Sequence, residues 1–228
     1  MLECRHVIED TMFTRIRSFA SMTLLSLALL TMCQGCSLLE PPVESGAVLF
    51  QDDFSRTASG WDRYSNDTYT TDYMDGGYRI SIFIPETNVW ARPHLEFEDV
   101  RVQVMATKLE GPDNNVFGVL CRYQDARNFY FFLISSDGYS GIGVYRDGEE
   151  FLLSNKAMLP SDAIHQGQAT NHVRAECIGE ELSLYINGSL TAQAIATDWS
   201  RGDVGLVAGT YSKPGTDILF EKFSVLLP

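Results

Sequence analysis

Five two-residue turn signals punctuate this chain between short apolar runs: Gly76-Gly77, Asp137-Gly138, Asp147-Gly148, Gly179-Glu180 and Asn187-Gly188. Each offers residues tolerant of positive φ where a tight hairpin of type I′ or II′ needs them. The runs between them, residues 78–84, 100–106, 116–123, 129–135, 141–145, 173–177, 182–186, 204–210 and 218–225, are rich in Val, Ile, Tyr and Phe. No stretch of this body carries a sustained i, i+3, i+4, i+7 apolar pattern, so helices are not its building blocks. Residues 156–168 form the one long polar connection, with room for a helical turn. The pattern predicts an all-β fold, an antiparallel two-sheet jelly-roll sandwich of about twelve to fourteen strands.

Treating each turn as a hinge sets the register of the central strands. A loop at 124–128 aligns Tyr123 with Phe129, hence Arg122 with Tyr130 and Cys121 with Phe131. A two-residue Asp137-Gly138 turn aligns Tyr130 with Tyr145 and Phe132 with Gly143. The Asp147-Gly148 turn aligns Tyr145 with Glu150. Side chains alternate, so Val119, Cys121, Phe131, Leu133, Val144 and Phe151 share one apolar face, the expected core. The opposite face then carries the row Arg122, Tyr130, Tyr145 and Glu150. Phe132 stands there beside Gly141 and Gly143, whose missing side chains leave a shallow trough. Aromatic rings cover sugar C–H faces while Arg and carboxylates bond hydroxyls, which makes this row the candidate ligand-binding surface. The plain alternative is aromatic cross-strand pairing that only stabilises the sheet. Trp61, Trp90 and Trp199 either extend the surface or belong to the core.

Cys177 follows Val173 and Ala175 on the apolar side of its strand, as Cys121 does on its own. In an exported domain two such cysteines are expected to form a disulfide closing a 56-residue interval. The alternative is two buried free thiols acting as small hydrophobes. His94, His165 and His172 are scattered and show no zinc-ligand spacing.

The N-terminus reads as a targeting segment. Arg15 and Arg17 precede the uncharged run 19–32, which is short for a ~30 Å hydrocarbon core but suits a signal-peptide h-region. Gly35-Cys36 follows and resembles a bacterial lipobox, with Cys36 the lipid acceptor, although Cys33 replaces the commoner Leu two residues before Gly35. An uncleaved anchor or a plain secretory signal are the alternatives. Met12 makes a more compact start than Met1. The expected organisation is a signal peptide at 1–35, a Pro-rich tether at 36–46 and a β-sandwich domain at 47–228, exported and held at the cell membrane or surface by lipid alone.

Thirty acidic against 17 basic side chains give a formal charge of −13. That surface repels phosphate backbones, which argues against nucleic-acid binding.

The stretch Phe117-Gly118-Val119-Leu120-Cys121-Arg122-Tyr123-Gln124-Asp125, then Asn128-Phe129-Tyr130-Phe131-Phe132 and Asp137-Gly138-Tyr139, resembles a bacterial version of the concanavalin A-like lectin/glucanase superfamily. Leu184-Tyr185-Ile186-Asn187-Gly188, Gly202-Asp203-Val204-Gly205-Leu206 and Phe220-Glu221-Lys222-Phe223-Ser224-Val225 carry the same resemblance. Within it the chain is similar to laminin-G-like jelly rolls and to the 3-keto-disaccharide hydrolase-like domain, over residues 47–228. This likeness implies the fold; the superfamily mixes lectins, binding modules and glycosidases. Related jelly rolls hold calcium near the chain ends, which points to Asp52, Asp53 and Glu221 here, with Lys222 weakening the set.

Catalytic signals are sparse. The Glu-x-Asp-x-x-Glu strand motif is absent, Glu96-Phe97-Glu98 gives only two carboxylates on one face, and Glu149-Glu150 and Glu180-Glu181 flank turns. No Gly-x-Ser-x-Gly elbow occurs. The leading reading is a lipid-anchored sandwich that binds carbohydrate or another extracellular ligand without catalysis. A glycan-active hydrolase or lyase and a structural envelope module are the alternatives.

Overall fold

A computed structural model describes residues 46–228. The leader, Cys36 and all of the tether except Gly46 lie outside the described residues. The first eight strands are β1 Val48–Asp52, β2 Tyr64–Ser65, β3 Tyr69–Met74, β4 Gly77–Ile82, β5 Thr87–Ala91, β6 Val100–Glu110, β7 Asn115–Asp125 and β8 Asn128–Ile134. The next eight are β9 Tyr139–Arg146, β10 Glu149–Leu152, β11 Leu159–Pro160, β12 Thr170–Ile178, β13 Glu181–Ile186, β14 Ser189–Ile195, β15 Asp203–Thr210 and β16 Thr216–Leu226.

They form two antiparallel sheets packed as a jelly-roll sandwich. One runs β14-β13-β12-β6-β16-β4-β3-β2, with β1 also on β16; the other runs β10-β9-β8-β7-β15-β5, with β11 on β9. The strand count exceeds the expected range because short edge pieces, among them β2, β10 and β11, add to it. Residues 156–168 hold no helical turn; they contribute the two-residue strand β11 and an open loop.

The inner faces bury one large core in which Val102, Val119, Phe132, Ile142, Val173 and Phe220 meet. At one end Trp61 packs edge-on against Phe54 and Phe223, and its Nε1 donates to Asp52 Oδ2 at 3.0 Å. Cys121 and Cys177, both fully buried, are joined in a disulfide that bonds the two sheets.

Turn chemistry explains where the expected registers fail. Asp147-Gly148 and Asn187-Gly188 both have positive φ at both positions, as a type I′ turn requires, and the Tyr145–Glu150 pairing is as expected. The first hairpin turns one residue earlier than expected, at Asp75-Gly76. Between β8 and β9 the loop is three residues long: Ser135 donates to the Tyr139 carbonyl, and only Gly138 of the loop has positive φ. Phe131 therefore faces Gly143 and Phe129 faces Tyr145. Between β7 and β8 the ladder slips at Arg122, whose φ of 52° marks a bulge, so Cys121 pairs with Tyr130 and Leu120 with Phe131. A slip of one residue reverses every side chain. Tyr130, Phe132 and Ile134 point into the core, while Phe129, Phe131 and Leu133 point outward. Val119, Cys121 and Val144 are core as expected; Phe131 and Leu133 are not. Phe151 lies on the edge strand β10 and stays 43% exposed.

Candidate functional site

The expected row Arg122–Tyr130–Tyr145–Glu150 does not exist as a surface. Arg122 is 1% exposed, and its bulged backbone turns the guanidinium inward. There it donates to the carbonyls of Gly179 at 2.8 Å and Trp199 at 3.1 Å, and to Asp99 at 3.2 Å. Arg122 clamps three connections beside the disulfide. Tyr130 is buried too: its hydroxyl donates to Asp198 Oδ2 at 3.0 Å and accepts from the Asp198 amide at 2.9 Å. Burial raises its phenol above the ordinary tyrosine value. Phe132 has no exposure at all. Nor is there an open trough above Gly141 and Gly143. Met158 covers the first and the Phe131 ring the second.

Tyr145 and Glu150 do reach the outer face, and they lead to the site. That face of the β10–β5 sheet carries a second apolar layer: Val116, Leu120, Phe129, Phe131, Leu133 and Val207, with Trp90, Tyr123, Tyr145, Leu152 and Met158 against them. Asn88, on β5, donates to the Tyr145 hydroxyl at 2.8 Å, although three strands separate β5 from β9. In a flat sheet those strands stand about 19 Å apart at ~4.8 Å per step. The sheet is therefore curled, its outer face concave, and side chains from both margins meet above the middle strands. The Tyr145 hydroxyl in turn donates to Glu150 Oε2 at 3.1 Å. Asn88 can lie this low because Gly209, its cross-strand partner, has no side chain to displace it. Burial, the leading cause, raises the Tyr145 phenol, and the Glu150 charge adds to it.

Within the concavity lies a cavity of about 730 Å³, inside the size range of small-molecule and sugar sites. Its apolar lining is Val116, Leu133, Leu152, Ala157 and Met158. Tyr139 and Tyr211 stand at its margin with 42% and 43% exposure. Tyr211 spans toward Met158, hydroxyl to sulfur 4.0 Å. Its phenol is raised chiefly by burial and further by the nearby Glu150 and Asp137 charges. Glu86, Asp137 and Glu150 face the space against the single ammonium of Lys156. The Ser135 hydroxyl donates to Asp137.

Asn88, Tyr139 and Tyr211 are absent from the sequence-based candidates. One signal was available: Val89 and Ala91 are buried while Asn88, Trp90 and Arg92 alternate outward, a short period-2 pattern. Tyr211 follows the last β15 residue and carries no local mark.

The calcium set does not fit. Both Asp52 oxygens accept from protein donors, the Phe54 amide at 2.8 Å and the Trp61 indole at 3.0 Å. Asp53 caps the Ser55 amide, and Arg56 and Lys222 line the same cavity as both aspartates. Glu221 lies between two buried phenylalanines on β16 and is only partly exposed. Among the described residues, no three His, Cys, Asp or Glu side chains stand close enough to hold a metal ion. His172 is half-buried and held toward its neutral form by that burial and by Arg174.

No protein-family model and no curated protein matches the sequence. Solved structures do match in fold. A carbohydrate-binding module, CBM66 from Bacillus subtilis, aligns with a TM-score of 0.59 at 16% identity, over 73% of this chain and 95% of that one. A Bacillus subtilis protein of unknown function with a galectin-like fold gives 0.57 at 10% identity, over 80% and 97%. The GH43 protein BlXynB from Bacillus licheniformis gives 0.57 at 13% identity, over 78% of this chain and 39% of that one. These likenesses establish a jelly-roll sandwich of the kind found in carbohydrate-binding modules and glycosidase domains.

Proposed function

We propose that this chain is an exported, lipid-anchored β-sandwich that binds a neutral glycan, without catalysis, in the concave cavity. The observation that carries the reading is the pairing of two exposed tyrosine rings, Tyr139 and Tyr211, with a carboxylate, Glu150, held in place by Tyr145 and Asn88. Rings give flat apolar faces to sugar C–H groups; a fixed carboxylate and amide give hydroxyls defined partners. Three carboxylates against one ammonium disfavour uronic acids and sulfated sugars. The carbohydrate-binding module among the structural neighbours supports the ligand class. Lipidation of Cys36 and a tether over 36–46 complete the proposal and place the domain at the cell surface.

Hydrolysis is the second reading, because Glu86, Asp137 and Glu150 share one cavity. Glu86 and Glu150 are exposed, and Asp137 is taken up by the Ser135 hydroxyl, whereas an acid catalyst needs a free, desolvated carboxyl. A glycan array followed by titration calorimetry tests binding, and reducing-end release from each bound glycan tests hydrolysis. Binding with no release is the expected result. Release that stops in Glu150→Gln establishes the hydrolase instead.

A further inference from the structure

The geometry points to a cavity that receives the end of a glycan chain, not its middle; this rests on the glycan-binding reading above. The concave groove is dammed. Asn88 on the edge strand β5 meets Tyr145 of β9 at 2.8 Å, and Glu150 of the opposite edge strand β10 is bonded into the same barrier. Behind it the groove is filled by rings: Trp90 lies 5.1 Å from Phe129 and 6.1 Å from Tyr145, and Phe129 stacks on Tyr145 at 4.8 Å and on Tyr123 at 5.3 Å. A chain lying in the cavity therefore cannot continue along the sheet. Beyond the dam is a separate cavity of about 400 Å³ that shares no lining residue with the first. The Arg92–Asp203 ion pair, 2.9 Å, crosses it over the Tyr123 ring.

The closed end carries the specific chemistry. Glu150 and Asn88 belong to the barrier, and Tyr139 and Tyr211 line the same cavity. An internal sugar carries linkages on two sides, and here the one directed along the sheet meets the barrier. A terminal ring presents a free hydroxyl at that position, which a carboxylate accepts. Site shape thus selects chain ends, and the barrier side chains set that selection.

The test measures how stoichiometry depends on chain length. The full chain is titrated with linear xylo-, cello-, laminari- and fructo-oligosaccharides of two and six units, and with the soluble polymer of each series. In a series that binds, the polymer should saturate at one protein per chain whatever its length. Several proteins bound per linear chain overturn end recognition while leaving glycan binding intact. No binding in any series overturns the glycan reading and this inference together.

Discussion

The ring of Phe131 occupies the space above Gly143, its cross-strand partner on β9. A Cβ at Gly143 would run into that ring and come within 2.6 Å of the Phe151 carbonyl. Neither neighbour can move freely, since Phe131 is buried in the outer layer and Phe151 belongs to β10. Gly143→Ala is therefore expected to destabilise the fold by about 1–3 kcal/mol, as overpacking does. Denaturant titration measures this, and a midpoint equal to wild type would mean that the outer layer is loosely packed.

The same pair shows how far the sequence could be read. That Gly143 lies beneath a phenylalanine was visible from the turns; which phenylalanine was not. Hairpin arithmetic fails where loop length depends on one residue's backbone state, and Gly138 closes a three-residue loop that looks like a two-residue one. The bulge at Arg122 has no composition signature, since arginine at positive φ is uncommon. Two slips of one residue left the fold class untouched, because both faces of this sheet are apolar in its central strands. They did relocate the site. Cys121 kept its inward face in either register, so alternation together with the expected export pointed to Cys177 as its partner, and the bond is present.

Tyr211 is 43% exposed, so its loss should affect ligand more than fold. Tyr211→Ala is expected to weaken binding of an array-identified glycan by about 1–3 kcal/mol, the range for a central aromatic anchor. Its melting temperature should stay close to wild type. Tyr130→Ala is the contrasting variant: it empties a buried site and should cost about 3–5 kcal/mol of stability. Unchanged affinity in Tyr211→Ala would move the ligand out of this cavity.

The Cys121–Cys177 link joins β7 of one sheet to β12 of the other across 56 residues. In the chain-entropy model such a closure stabilises by ~4 kcal/mol. Reductant should lower the denaturation midpoint of wild type and leave a Cys121→Ala, Cys177→Ala variant unaffected. Peptide mapping without reduction should recover the two cysteines linked; recovering both alkylated contradicts the bond.

Anchoring is tested separately. Cys36→Ala removes the proposed lipid acceptor after Gly35, so the variant should lose fatty-acid labelling and leave the membrane fraction. A wild type that takes up no label in a bacterial host with a lipoprotein pathway removes the anchor from the proposal, without touching the sandwich or its cavity.

Asp198 gives the fold a defined response to acid. Its carboxylate accepts from Arg146 at 3.0 and 2.7 Å and from the buried Tyr130 hydroxyl at 3.0 Å. The Arg146 bond is the largest cause holding its pKa below the ordinary 3.8, with Tyr130 adding to it. A carboxyl whose folded pKa is depressed binds fewer protons folded than unfolded across that window. Its contribution is therefore complete above the unfolded value and is lost as pH falls through the folded one. Wild type should melt above Asp198→Asn at neutral pH, with the gap narrowing once pH drops below about 4. Tyr130→Phe, which keeps the ring but removes the hydroxyl, should show a smaller version of the same narrowing. Parallel melting curves for wild type and Asp198→Asn from neutral to acid pH would show that the Arg146–Asp198 pair is solvated at no net gain.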